Sequence, residues 1–143
     1  MKRHALIAFA LTVGLLFAAD AAQEGAKNEL KKLEGTWVMV AGEEKGEKVP
    51  EKRLKIATMT IVGDKHTVKV GEESFVGTHK LDPTKNPKEI DSLNQGKAMF
   101  GIYKLEKGEF TVCFAPPGKE RPKEFTTKSG SGEFLHVWKQ KKE

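Results

Sequence analysis

The sequence predicts an all-β fold, an eight-stranded antiparallel up-and-down barrel preceded by a short N-terminal helical turn. Two observations lead to this prediction. Short runs rich in β-branched and aromatic residues recur along the chain, and turn-forming stretches separate most of them. In addition, 14 glycines and 6 prolines in 143 residues supply enough turn formers for many short elements.

The helical turn is expected over residues 29–33, immediately before the first strand. The eight predicted strands are residues 35–41, 54–62, 66–70, 75–81, 89–93, 98–105, 110–115 and 133–139. Most connections between them are short. Short connections require sequential strands to pair antiparallel, because a parallel pair needs a crossover of about a dozen residues or more.

The last predicted strand indicates how the sheet ends. It contains Phe134, Leu135, Val137 and Trp138, which make it too apolar to form an exposed edge. Pairing of this strand with the first one would close the sheet into a barrel and remove both edges. A sandwich of two sheets is the alternative fold.

The N-terminus has the three parts of a secretory signal. Residues 2–4 are basic, and residues 5–19 form an uncharged, largely apolar run. Small residues at Ala19 and Ala21 then favour cleavage after Ala21. An uncleaved membrane anchor is the alternative, but the run is shorter than the ~20 residues that a spanning helix needs.

These features predict a signal peptide over residues 1–21, a linker or helical turn over residues 22–33, and one β-barrel domain over residues 34–143. We expect a bacterial protein that is exported to the periplasm or secreted, without stable membrane insertion after cleavage. Cys113 is the only cysteine, so no internal disulfide can form and the core must supply the stability. Its apolar strand predicts a buried, unreactive thiol.

The charge pattern argues against a nucleic-acid partner. The chain has 25 Lys and Arg residues against 20 Asp and Glu residues, a formal net charge of +5. Both signs are interspersed along the chain, whereas a nucleic-acid-binding surface concentrates basic residues on one face or stripe. The charges are those expected of a solvated surface.

Several motifs resemble those of known barrels. Gly35-Thr36-Trp37, placed just after the helical turn, resembles the Gly-x-Trp signature that opens lipocalins. The longer segments are LEGTW (33–37), GTHKLDPTKNPKEID (77–91), GIYKL (101–105) and CFAPPGKERP (113–122). Together they resemble an uncharacterised lipocalin-like domain family found chiefly in planctomycete bacteria. The resemblance covers residues 30–139 and implies a barrel and export, but no activity. It departs at His79, where similar sequences tend to have Tyr.

A barrel of eight strands encloses either packed side chains or room for one small ligand. Strand alternation places Trp37, Met39 and Ala41 on one face of the first strand. The candidate ligand-binding residues are Trp37, Met39, Phe75, His79, Tyr103, Phe114 and Arg121. The corresponding partner is a small hydrophobic or amphipathic molecule. The alternative is a protein-interaction or structural module with a filled, ligand-free barrel; the sequence identifies no protein partner.

Arg121 is a candidate ligand-binding residue for a different reason. It lies in a proline-stiffened loop expected at the barrel mouth, where a guanidinium group can bind a carboxylate or phosphate in a bidentate manner. The alternative for this loop is a rigid, solvated connector.

The sequence gives no pattern for catalysis, for a metal or for a cofactor. His66, His79 and His136 lie on three different strands without metal-ligand spacing, and each is expected to be half in solvent. The SGSG segment at residues 129–132 lacks the spacing of a nucleophile elbow or a phosphate-binding loop. We therefore expect a protein that is not an enzyme.

Overall fold

The computed structural model describes residues 10–142. The elements are α1 (Ala10–Leu33), β1 (Gly35–Glu44), β2 (Glu47–Lys48), α2 (Glu51–Leu54), β3 (Ala57–Val62), β4 (Lys65–Val70), β5 (Glu73–Asp82), β6 (Lys88–Asn94), β7 (Lys97–Glu106), β8 (Glu109–Phe114) and β9 (Phe134–Gln140). All strand pairs in this part of the chain are antiparallel, and β1 pairs with both β3 and β9. This confirms the closed eight-stranded barrel; the two-residue β2 is an additional strand on β1.

The segment between β1 and β3 differs from the prediction. A strand was expected from residue 54, but α2 occupies residues 51–54 and β3 begins at Ala57. Pro50 explains the difference. Its carbonyl oxygen accepts hydrogen bonds from the amides of Arg53 and Leu54, at 2.9 and 3.1 Å, which closes a helical turn at the end of the barrel where β1 ends.

The helix before the barrel is longer than the one or two turns expected. It continues from Ala10 to Leu33 because the segment contains no proline and is rich in alanine and leucine, the strongest helix formers. The predicted cleavage point after Ala21 lies within this helix, and cleavage stays a prediction. The basic residues 2–4 of the predicted signal lie outside the described residues. In the described part of the chain, no helix combines the length and apolarity needed to cross a membrane.

Two-residue hairpin turns set the register of several strand pairs. Gln95 and Gly96 join β6 to β7 with φ angles of 51° and 78°, and Lys107 and Gly108 join β7 to β8 with 51° and 76°. Positive φ at both turn positions is the type I′ geometry, whose twist matches that of the flanking strands. Glycine at the second position adopts this geometry without steric cost.

The last turns of α1 close one end of the barrel, which we call the floor. Leu33 and Trp37 are almost completely buried there, and the Trp37 indole N–H donates a hydrogen bond of 2.8 Å to the Leu33 carbonyl. The buried Glu29 carboxylate accepts hydrogen bonds from the Tyr103 hydroxyl at 3.0 Å and from Lys88 at 3.3 Å. Burial acts to raise the pKa of Glu29, but these hydrogen bonds outweigh it and hold that pKa below its usual value.

A β-bulge divides β1 into two parts, and the alternation of inward and outward side chains is reversed between them. The pairing with β9 shifts between Met39 and Ala41. Trp37 and Met39 are buried and point into the barrel, whereas Ala41 is exposed, so the expectation that Ala41 shares their face is wrong. The shift turns Glu44, at the end of the strand, toward the lumen.

Candidate functional site

The barrel encloses a cavity of about 420 Å³. Small-molecule sites are commonly cavities of roughly 300–1,000 Å³ lined mainly by apolar side chains. Hydrophobic residues dominate the wall formed by β1, β3, β8 and β9. They are Met39, Met59, Ile61, Phe110, Val112, Phe114, Phe134 and Trp138. The volume and lining together identify the lumen as the candidate site.

The structure places four of the seven predicted site residues on the cavity wall, namely Met39, Phe75, His79 and Phe114. Trp37 and Tyr103 are instead buried in the floor, where they contact α1. Phe75 is 44% exposed while also lining the cavity, so the cavity reaches the surface beside it.

A polar cluster lies on the opposite wall, on three neighbouring strands. The Nδ1 atoms of His66 on β4 and His79 on β5 are 3.0 Å apart, and their rings stack. The other ring nitrogen of His66, Nε2, lies 2.8 Å from Oδ1 of Asn94 on β6. The Asn94 amide in turn donates a hydrogen bond of 3.0 Å to the Ser92 hydroxyl. The expectation that His79 is half in solvent is wrong, since it is only 7% exposed.

Gly77 makes this cluster sterically possible. It pairs with His66 on one side and with Asn94 on the other, so all three positions face the lumen. A Cβ atom at residue 77 would clash with the Asn94 side-chain oxygen and would lie 2.7 Å from Nε2 of His66. The missing side chain is therefore what lets the histidine and the amide meet.

His79 has one ring nitrogen without a protein partner. Its Nε2 is buried, and no group in the described part of the chain lies in hydrogen-bonding geometry with it. Burial of the ring and repulsion from His66 lower the pKa of His79 to about 4, opposed in part by Asp64 and the Gly63 backbone. At neutral pH the cavity wall therefore holds an uncharged imidazole.

A second polar group lies at the open end of the barrel, which we call the mouth. Glu44 accepts a hydrogen bond from His136 Nε2 at 3.1 Å and pairs with Arg53 of α2 at 2.8 Å. The hydrogen bond with His136, and next the hydrogen bond and charge of Arg53, outweigh the effect of burial and lower the pKa of Glu44 to about 2. Arg53 thus ties α2 to the rim of the cavity.

Arg121 does not act as the sequence led us to expect. Its guanidinium lies against the outer wall, donating hydrogen bonds to the Gly101 and Ile90 carbonyls at 2.8 and 3.1 Å. It also forms an ion pair of 2.7 Å with Asp91 and lies over the Phe100 ring. Arg121 is not among the residues that line the cavity, and these protein groups engage its guanidinium donors, so anion binding by Arg121 stays a prediction that this arrangement does not support. Arg121 instead fastens the long β8–β9 loop to β6 and β7.

Replacing Arg121 with methionine is expected to lower the free energy of unfolding by about 1–3 kcal/mol, since buried acceptors lose a charged donor. Arg121→Lys should restore only part of this, because an ammonium group cannot reproduce the guanidinium fork. Urea denaturation followed by circular dichroism measures the effect, with Lys123→Met in the same loop as an exposed control. A stable Arg121→Met protein that has lost anion binding would contradict this assignment.

The same loop buries Cys113, as predicted. The thiol is fully buried on the outer side of β8 and contacts the Thr126 carbonyl at 3.6 Å. Burial raises the pKa of Cys113 to about 11, so the reactive thiolate is scarce at neutral pH. Among residues 10–142, no group of three or more His, Cys, Asp or Glu side chains is placed to hold a metal ion.

Sequence reasoning missed the polar wall of the cavity. His66, Ser92 and Asn94 were not among the predicted site residues, although each lies on a predicted strand or its adjoining turn. Alternation along β4 does place His66 on the same face as Val68 and Val70. The useful signal was therefore a polar residue on an otherwise apolar strand face, but only the register between strands brings the cluster together.

Comparisons of the chain with models of protein families, with curated proteins and with solved structures find no match.

Proposed function

We propose that this protein binds a small hydrophobic or amphipathic molecule inside its barrel. The observation that carries the proposal is the cavity of about 420 Å³, with an apolar wall facing a small polar cluster. Ligand pockets commonly combine these two features, since apolar surface supplies affinity and a few polar groups fix orientation.

The side chains that line the cavity favour a binding site that can adapt to the shape of its ligand. Met39, Met59 and Met99 lie on different strands around the cavity. Methionine is unbranched and its side chain adapts to irregular shapes, so such a wall can fit ligands of somewhat different outline. The cavity also argues for this function over the alternative of an interaction module with a filled barrel.

The proposed entrance is the mouth beside Phe75, where the cavity meets solvent. The side chain of Arg53 is 45% exposed there and is held by Glu44. A ligand entering at this end would pass the short helix α2 and reach the histidine pair deeper in the barrel.

The compartment and the family belong to the same proposal. The N-terminal sequence supports export, and the motifs at residues 33–37, 77–91, 101–105 and 113–122 support membership of the uncharacterised lipocalin-like family. We propose that the protein carries or senses its ligand outside the bacterial cytoplasm.

Titration with N-phenylnaphthylamine, whose fluorescence rises in an apolar site, tests the function. We expect saturable binding and energy transfer from Trp138, which lines the cavity. Met59→Trp should place a bulky, rigid indole in the lumen and weaken binding at least about tenfold, because a ligand lying against this wall would overlap the ring.

The matched control is Thr60→Trp, one position along β3 on the exposed face. It should leave the affinity within about twofold of the parent protein while adding the same indole. Circular dichroism verifies that both variants fold. Absence of saturable binding, or equal weakening by the two variants, would overturn the proposal of a luminal site.

A further inference from the structure

The hydrogen-bonding state of the histidine pair can be followed from one end of the cluster to the other. The Asn94 amide nitrogen faces Ser92 and donates to its hydroxyl, so the amide oxygen faces Nε2 of His66. A carbonyl oxygen only accepts, so His66 must carry its proton on Nε2. The second nitrogen of a neutral His66, Nδ1, is then an acceptor.

The contact between the two histidines then determines which ring nitrogen of His79 carries the proton. Its Nδ1 lies 3.0 Å from Nδ1 of His66, and a hydrogen bond needs one donor and one acceptor. Since His66 Nδ1 accepts, His79 Nδ1 donates. A neutral imidazole has a single N–H group, so Nε2 of His79 carries an unshared electron pair.

That electron pair is in an unusual position. His79 lines the cavity and is 7% exposed, and its Nε2 has no hydrogen-bond partner among the described residues. Leaving a buried acceptor unpaired is unfavourable, so a ligand group that supplies a donor there gains affinity.

From this arrangement we propose that the ligand is an uncharged amphipathic molecule whose polar group, a hydroxyl such as that of an alcohol or phenol, donates a hydrogen bond to Nε2 of His79. The inference rests on the proposed binding function and deepens it by naming the ligand class. The apolar body of the ligand lies against Met59, Val112 and Trp138 on the facing wall.

Other polar groups fit this position less well. A carboxylate only accepts hydrogen bonds, so it would oppose the electron pair of His79, and the Arg53 cation on the cavity rim is already paired with Glu44. An ammonium group donates, but the cluster itself contains no carboxylate, and Glu44, which also lines the cavity, is already paired with Arg53 and His136. Asp64 near His79 would compensate part of the charge, so a cation is disfavoured less strongly than a carboxylate. A neutral ether can offer no donor at all.

Three ligands with the same chain separate these cases by isothermal titration calorimetry at neutral pH: decanol, decyl methyl ether and decanoate. We expect decanol to bind at least about tenfold more tightly than the other two, the difference corresponding to one satisfied buried acceptor. His79→Leu should remove most of the preference for the alcohol. Thr78→Leu, on the same strand but on the outer face, should keep it.

The outcomes distinguish this inference from the function on which it rests. Equal binding of all three ligands would leave luminal binding standing and overturn the donor requirement, as would tightest binding of decanoate. No binding of any of them, together with no binding of N-phenylnaphthylamine, would overturn both.

A second readout does not depend on ligand binding. Long-range ¹H–¹⁵N NMR spectra report which ring nitrogen of each histidine is protonated. We expect Nδ1–H for His79 and Nε2–H for His66. A proton on Nε2 of His79 in the ligand-free protein would overturn the inference, because the nitrogen would then offer a donor instead of an acceptor.

Discussion

Replacing Trp37 with alanine is expected to lower the free energy of unfolding by about 3–5 kcal/mol, the usual cost of removing a large buried aromatic side chain. Trp37 is 1% exposed, packs against Phe110 with ring centroids 6.0 Å apart, and donates a hydrogen bond to Leu33. The substitution therefore opens a cavity in the floor and also releases the contact that fastens α1 to the barrel. Urea denaturation monitored by far-ultraviolet circular dichroism measures the loss.

Two variants separate the contributions to this effect. Trp37→Phe keeps an aromatic ring but cannot donate to the Leu33 carbonyl, so its cost should be smaller than that of Trp37→Ala. Val38→Ala, the next residue on β1 and only partly buried, should cost less than about 1.5 kcal/mol. A Trp37→Ala protein as stable as Val38→Ala would show that the floor is not a principal part of the core.

Acidification from pH 6.5 to about 4 is expected to destabilise the fold by about 3 kcal/mol through His79 alone, given its lowered pKa. In the unfolded chain this histidine takes up a proton near pH 6.5, whereas in the barrel it does so only near pH 4. Between these values the unfolded state binds more protons, so falling pH favours unfolding. Above pH 6.5 both states are neutral at this position and the effect vanishes.

The groups around His79 define the control. Besides burial, the charge of His66 lowers the pKa of His79, whereas the charge of Asp64 and the Gly63 backbone raise it. Glu44 contributes at lower pH, because its pKa moves from 4.5 in the unfolded chain to about 2 in the fold. Urea midpoints measured between pH 7 and about 5.5 therefore report mainly on the histidine, because carboxylates such as Glu29 and Glu44 contribute below this range. The urea midpoint should depend less steeply on pH in His79→Leu than in the parent protein. An unchanged pH dependence would contradict the assignment of this effect to His79.

The fold could be predicted from local features of the chain. Turn residues such as Gln95-Gly96 and Lys107-Gly108 punctuate apolar strands, and the apolar last strand indicated that the sheet closes. The two errors in the predicted strands each come from a local backbone feature that the strand pattern does not reveal. Pro50 starts a helical turn where a strand was expected, and a bulge after Met39 turns Ala41 outward.

The site was predicted only in part. Met39, Phe75, His79 and Phe114, four of the candidate residues, line the cavity, although strand alternation alone did not decide which faces point inward. Arg121 was misplaced, because the course of the β8–β9 loop and its contact with Asp91 depend on packing against distant strands. The pairing of His66 with His79 depends likewise on the register of β4 against β5.

The sequence by itself determined the strand order, the antiparallel pairing and the closure, because turn chemistry and period-two alternation act over a few neighbouring residues. Only the tertiary structure decided that the barrel keeps a cavity and that Gly77 leaves room for His66 to meet Asn94. It also decided that Nε2 of His79 is buried without a hydrogen-bond partner among residues 10–142. The physical reason is that these features depend on side chains that are far apart in the sequence. Small differences in side-chain volume and strand register decide whether such side chains come into contact.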